Sequence, residues 1–289
     1  MNKTKLISLI DDFYNKAING SNYSYEPIII IESIKSIIGI DLNTDSKNLV
    51  DWLCNYIEKI NFEDFHFIDK TIDGIEVISY KDLEQSLLNG DIPKSVKVLS
   101  YLLSVSDGTQ VLENVLEIGV KHSPNSVPLI WSVYKMEMFL NKRYIFKSLQ
   151  ICFKSIVDNL ENKSNEINSD RINWINFLKK SDFNSLILYS IYNDDLVRSD
   201  RFKKYIPLGL TGYSDKVNLN NIDFEIESKQ KKNGRIWILE YINEIKCCDL
   251  SVELILKVNI LRSCIKFAKY EKEELILWNR LNKVVSEVK

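Results

Sequence analysis

Apolar residues recur at helical spacing from the start of the chain. Leu6, Ile10 and Phe13 stand three or four positions apart, which predicts an amphipathic helix over residues 3–18. Gly20 follows as a natural end to that helix. The chain therefore opens with a helix whose apolar face needs another element to cover it.

A run of four isoleucines follows Pro27 and has two interpretations. Pro27 suits the first turn of a helix, because its missing N–H would have no partner there. The apolar pattern continues through Ile34 and Ile37, which favours a helix to about Ile38 with Gly39 as its left-handed cap. A buried strand is the alternative for the isoleucine run itself.

The helical pattern is most regular between residues 79 and 162. Ser79 and Asp82 have the spacing of a capping box, and Asp91 followed by Pro93 is typical of a helix start. Turns of roughly two to six residues separate successive apolar stripes, as in antiparallel helical hairpins. The turns are irregularly spaced, so an irregular α-solenoid and a multi-helix bundle both fit the pattern.

Two stretches lose the helical period. Residues 62–79 alternate polar and apolar side chains around the Asp73-Gly74 pair, which is typical of a β-hairpin. Residues 206–232 alternate in a similar way. We therefore predict a mainly α protein of antiparallel helical hairpins, with one or two short β-hairpin excursions at about 62–79 and 206–232.

A polar stretch divides the chain. Residues 161–170 read ENKSNEINSD and carry Ile167 as their one large apolar side chain, which indicates a linker or an exposed loop. This predicts a helical N-terminal region over 1–162 and a helical C-terminal region over 170–289. One continuous domain is the alternative, because 289 residues suit either one large domain or two of ordinary size.

The composition favours a cytoplasmic globular protein. The 38 basic and 40 acidic residues give a formal net charge of −2, which argues against a dedicated nucleic-acid binder, since such a protein needs a concentrated basic face. The five cysteines include no CxxC pair and are expected to be reduced. The longest apolar run is too short to span a bilayer, and the N-terminus lacks the apolar region of a signal peptide. We therefore predict no membrane partner.

The two histidines limit the acid–base chemistry that the chain can perform. A Ser–His–Asp or Cys–His site would have to use His66 or His122, and neither lies in the sequence context of a known nucleophile. Glu63 and His66 have the ExxH spacing of di-iron carboxylate bundles, but a second such motif is missing. No phosphate-binding glycine motif is present either. The sequence thus predicts neither a metal nor a cofactor.

Two functions stay open. The helical hairpins, the balanced charge and the 31 aromatic residues (5 Trp, 14 Tyr and 12 Phe) favour a protein–protein interaction module, such as a helical adaptor or an immunity- or defence-type partner of another protein. The alternative is an all-α enzyme that acts on a hydrophobic small molecule between helices, with His122, His66, Tyr134 and Asp194 as candidate polar groups. A nucleic-acid binder using the basic 229–235 loop is a third hypothesis, which the overall charge disfavours.

Overall fold

A computed structural model of the chain describes residues 3–20, 24–71, 78–161, 174–194 and 234–287. Within these ranges the chain forms thirteen α-helices and no β-strand, so the prediction of a mainly α protein is confirmed. None of the helices in the described ranges combines the length and the apolar character that crossing a bilayer requires.

The helices follow one another with short connections. The first eight are α1 (Lys3–Asn19), α2 (Glu26–Ile38), α3 (Lys47–Lys59), α4 (Tyr80–Leu88), α5 (Ile92–Val105), α6 (Thr109–His122), α7 (Val127–Phe139) and α8 (Ile145–Asp158). The other five are α9 (Trp174–Lys180), α10 (Phe183–Asn193), α11 (Ile236–Glu244), α12 (Val252–Phe267) and α13 (Glu271–Ser286). Short 3-10 turns lie at Pro124–Ser126 and Cys247–Asp249.

Local capping signals mark several helix starts as the sequence indicates. The Ser79 N–H donates to Asp82 Oδ2 at 2.7 Å, as part of the predicted capping box of α4. Asp91 Oδ1 accepts from the Lys94 N–H at 3.0 Å at the start of α5. The left-handed cap predicted at Gly39 is wrong. Its φ is −67°, because α2 ends in right-handed geometry with the Gly39 N–H bonded to the Lys35 carbonyl.

Helix α2 lies at the centre of the hydrophobic core. It packs against α1, α3, α7, α11 and α12, so several of its faces are covered. This explains why the run of isoleucines forms a helix: a helix buried on several sides needs apolar residues around most of its circumference. Full burial of each isoleucine stabilises the fold by roughly 1.5 to 3 kcal/mol. The fully buried isoleucines of this helix are Ile28, Ile30, Ile31, Ile34 and Ile37.

Contacts between helices distant in sequence favour a bundle over a solenoid. Helix α12 packs against α2, and α10 packs against α7. In a solenoid each repeat contacts only its neighbours along the chain, so such contacts would not form. The helices on either side of residues 162–170 therefore share core contacts, and the division of the chain at that segment stays a prediction.

The β-hairpin predicted over 62–79 is wrong for the described part of that range, which forms no strand. Its backbone pairs with other elements instead. The Phe65 N–H donates to the Asn19 carbonyl at 2.8 Å. The amide of Gln150 on α8 accepts from the Ile68 N–H at 2.9 Å and donates to the Ile68 carbonyl at 3.0 Å. The tip of that hairpin (72–77) and the hairpin predicted over 206–232 lie outside the described residues.

Candidate functional site

His122 takes part in a cluster of ion pairs at the surface. Its Nε2 lies 3.0 Å from Glu84 Oε1, and Lys121 Nζ lies 3.5 Å from the same oxygen. The hydrogen bond from His122 is the main cause of a lowered pKa at the Glu84 carboxyl, and burial opposes it. This arrangement ties the end of α6 to α4.

His66 lies in the irregular segment that follows α3. It lines a cavity of about 170 Å³ together with Phe65, Gln150 and Lys154. Because Glu63 and His66 do not share a helix, the ExxH spacing does not place them on one helical face. Across the parts of the chain that the structure describes, no three His, Cys, Asp or Glu side chains are grouped to hold a metal ion.

Tyr134 and Asp194 lie in different surroundings. Tyr134 is fully buried on α7, and its ring stacks on Trp131 with a centroid distance of 5.3 Å. Asp194 follows α10, is only 6% exposed, and contributes an electrostatic interaction to Lys135 and Arg262. Of the four predicted site residues, Asp194 is therefore the one whose charge acts on the buried charged residues described next.

A group of charged and polar side chains, all largely buried, lies where α2, α7 and α12 meet. We call Glu32, Lys35, Lys135, Asn259 and Arg262 the Glu32 cluster. Glu32 is 1% exposed, and its Oε1 lies 2.7 Å from Lys135 Nζ and 3.6 Å from Lys35 Nζ. Asn259 Nδ2 donates to Glu32 Oε2 at 3.2 Å. Arg262 Nε donates to Asn259 Oδ1 at 3.1 Å. A single carboxylate thus lies among three cations.

The charges of the Glu32 cluster shift the pKa values of its members. Burial would raise the pKa of Glu32, but the charges of Lys135 and Lys35 outweigh burial and lower this pKa to about 2. Burial lowers the pKa of Lys35 to about 8, although Glu32 acts in the opposite direction. Burial also lowers the pKa of Lys135. Glu32 is therefore ionised over the whole physiological range of pH.

A small cavity of about 30 Å³ adjoins the Glu32 cluster. It lies between α2, α7, α10 and α12 and has room for about two water molecules. Its polar lining combines one cation, one carboxylate, one amide and several hydroxyls. These polar residues are Glu32, Ser33, Ser132, Lys135, Ser190, Asn259 and Ser263.

An open groove of about 380 Å³ lies on another part of the surface, between α3 and the turn at Cys247–Asp249. We call it the aromatic groove; its lining is Trp52, Asn55, Tyr56, Lys59, Cys247, Cys248 and Leu250. The rings of Trp52 and Tyr56 stack at a centroid distance of 5.1 Å and an interplanar angle of 8°. Trp52 Nε1 donates to the Leu250 carbonyl at 3.0 Å, and the Tyr56 hydroxyl donates to Glu26 Oε1 at 2.7 Å. These bonds fix the orientation of both rings.

Sequence reasoning did not predict either the Glu32 cluster or the aromatic groove. One signal for the cluster was available: Glu32 and Lys35 interrupt the isoleucine-rich stretch of α2 at i,i+3 spacing. Charged residues in a helix that is otherwise apolar are expected to have buried partners. For the groove, the i,i+4 spacing of Trp52 and Tyr56 places the two rings on one face of α3.

No protein-family model, curated protein or solved structure matches this chain. The geometry of the described residues is therefore the basis for a functional proposal.

Proposed function

We propose that this protein is a protein–protein interaction module that binds its partner at the aromatic groove. The observation that carries the proposal is the open groove of about 380 Å³ walled by the stacked pair Trp52 and Tyr56. Tryptophan and tyrosine are enriched among the residues that dominate binding energies at protein interfaces. Because hydrogen bonds already hold both rings, a partner would lose little affinity to the ordering of side chains.

The sizes of the concave sites favour this function over an enzyme acting on a hydrophobic small molecule. Pockets that enclose such molecules usually measure roughly 300 to 1,000 Å³. The cavity between helices at the Glu32 cluster measures about 30 Å³, and the cavity at His66, at about 170 Å³, is also below the usual range. The aromatic groove reaches the required size, but it is open along the surface, as expected where a side chain of a partner protein docks.

The rim of the aromatic groove indicates the chemistry of the partner. Asn55, Lys59 and Cys248 are exposed around the buried Trp52 and Leu250. An apolar centre with a polar rim is the usual anatomy of an interface. The groove therefore suits an apolar or aromatic anchor side chain flanked by a carboxylate that pairs with Lys59. A helical adaptor or an immunity- or defence-type protein would use the groove in this way.

A charge placed on the rim tests the proposal. We expect Asn55→Arg to fold normally, because the Asn55 side chain is exposed, and to block the groove with a long cationic side chain. Gln110→Arg is the matched control, because it changes an exposed amide on α6, which packs with α4, α5, α7 and α8. Both variants and the unmodified protein would be used to purify partners from the native host. The affinity of a stoichiometric partner would then be measured with purified components.

We expect the partner to bind the unmodified protein and Gln110→Arg equally, and Asn55→Arg at least about tenfold more weakly. Recovery of no stoichiometric partner would overturn the proposal. Equal affinity for both variants would show that the partner binds elsewhere, and would overturn the assignment of the groove.

A further inference from the structure

Among the residues that the structure describes, the surroundings of the Glu32 cluster carry more positive than negative charge. Lys35, Lys135 and Arg262 provide three cations, whereas Glu32 and the nearby Asp194 provide two carboxylates. Burying a charge without a counter-charge costs free energy, so an excess cation in such a place is expected to face an anion. An anionic ligand would supply the missing charge.

The small cavity beside the cluster presents hydrogen-bond donors. Lys135 is one of the lining residues, and its ammonium gives one of its three N–H groups to Glu32. The hydroxyls of Ser190 and Ser263 are bonded to each other, so one of their two hydrogens is available to another acceptor. Ser33 Oγ accepts from Asn259 and keeps its own hydrogen. An ammonium and two hydroxyls match the acceptor sites of one carboxylate.

The rim of the same cavity is apolar and partly exposed to solvent. It is formed by Ile29, Pro128, Leu256 and Ile260. The interior of about 30 Å³ suits a group of the size of a carboxylate, while the rim offers contacts only to apolar atoms. A bare inorganic oxyanion would make no use of that rim.

We propose that this cavity binds a small organic monocarboxylic acid with an apolar substituent. The carboxylate accepts hydrogen bonds from Lys135 and from the Ser190–Ser263 pair, and the substituent packs against Leu256 at the rim. This site is separate from the aromatic groove, so either proposal can fail without the other.

Calorimetric titration with sodium benzoate tests the site. Benzyl alcohol serves as the neutral counterpart with the same ring, and sodium sulfate serves as an oxyanion without an apolar part. We expect saturable binding of benzoate to the unmodified protein, with both other probes binding at least about tenfold more weakly. Absence of benzoate binding would overturn the proposal. Sulfate binding as tight as that of benzoate would assign the cavity to bare oxyanions and would also overturn it.

A pair of variants at the rim tests the location. Leu256→Glu places a carboxylate beside the bound ligand, and Leu256→Gln, of the same shape, is the neutral control. Leu256 is only partly buried, so both variants are expected to fold. We expect Leu256→Glu to weaken benzoate binding at least about tenfold relative to Leu256→Gln. Equal binding by the two variants would place the benzoate elsewhere and overturn the assignment.

The double variant Glu32→Met/Lys135→Met tests the role of the ammonium. It removes both charges of the Glu32–Lys135 pair together, and Lys35 then also loses its partner Glu32. Lys154→Met, at an exposed lysine paired with Asp158, is the control. We expect the double variant to lose benzoate binding and the control to keep it. Retained binding in the double variant would show that Lys135 is not the anchor.

Discussion

Two buried glutamates of this protein have opposite electrostatic surroundings. Glu32 lies at the junction of α2, α7 and α12 beside Lys135 and Lys35. Glu137 lies on another face of α7, against α1 and α8, and is also fully buried. Its partners are neutral: Ser148 Oγ donates at 2.6 Å, the Tyr14 hydroxyl at 3.1 Å and the Tyr144 N–H at 3.1 Å.

Burial is the largest influence on both carboxyl groups, and it acts in the same direction on both. At Glu32 the two lysines overcome burial and lower the pKa to about 2. At Glu137 the hydrogen bonds do not overcome burial, and the pKa of that carboxyl is raised. The comparison shows that the charge of the partner, rather than the degree of burial, decides in which direction the pKa of a buried carboxyl moves.

The largest expected effect follows from removing the main partner of Glu32. In Lys135→Met, the buried Glu32 carboxylate keeps its contact with Lys35, whose Nζ is 3.6 Å away. We expect the free energy of unfolding to fall by about 3 to 5 kcal/mol, because Glu32 loses the nearer partner of a buried ion pair and keeps the more distant Lys35. Urea unfolding at neutral pH measures this change.

Two further variants control that experiment. Lys154→Met breaks an exposed ion pair with Asp158 and is expected to cost less than about 1 kcal/mol. The double variant Glu32→Met/Lys135→Met is expected to be more stable than Lys135→Met alone, since neither charge of the pair is left behind. A double variant less stable than the single one would contradict this account of the cluster.

A smaller effect is expected at Glu137. Glu137→Gln keeps one acceptor oxygen but turns an amide donor towards groups that are themselves donors. We expect a loss of about 1 to 2 kcal/mol, the usual cost of one unsatisfied buried group. The same urea unfolding experiment measures it. A loss as large as that of Lys135→Met would contradict the view that neutral hydrogen-bond donors are the main partners of Glu137.

The smallest effect is a difference in pH dependence. The raised pKa of Glu137 means that its stabilising contribution is present below its ordinary pKa and is lost as the pH rises through the raised value. The lowered pKa of Glu32 has the opposite sign: its contribution is present above its ordinary value of 4.5 and is lost as the pH falls towards about 2.

Unfolding measured across the acidic range separates these two contributions. Relative to Glu137→Gln, the unmodified protein should lose stability as the pH rises. Relative to the double variant Glu32→Met/Lys135→Met, it should lose stability as the pH falls below about 4.5. In each comparison, the free energy of unfolding is measured against pH for the unmodified protein and for the variant. If the two proteins showed the same pH dependence in either comparison, the opposite behaviour of the two glutamates would be refuted.

Features encoded within a few residues were predictable from the sequence. The capping box of Ser79 and Asp82 and the helix start at Pro27 depend on neighbours three or four positions away, and the structure confirms both. The alternation over residues 62–71 was misleading, because a local pattern does not specify what the backbone will pair with. In the structure that backbone pairs with Gln150 on α8.

The functional sites depend on contacts that no local pattern encodes. Glu32 meets Lys135 and Asn259, which lie 103 and 227 positions further along the chain. The aromatic groove likewise joins Trp52 to Leu250, 198 positions away. Neither pairing has a sequence spacing that could be recognised without the fold.

The two hydrogen bonds between Gln150 and Ile68 affect the local unfolding of the segment after α3. The buried Gln150 side chain forms hydrogen bonds with both the N–H and the carbonyl of Ile68. In a β-sheet, such hydrogen bonds would instead come from the backbone of many residues of a neighbouring strand. Local unfolding of the segment is therefore coupled to a single amide. Hydrogen exchange at the Ile68 N–H should therefore be as slow as at the backbone amides of α8 around Gln150. Loss of the two Gln150 hydrogen bonds would let residues 66–70 open together.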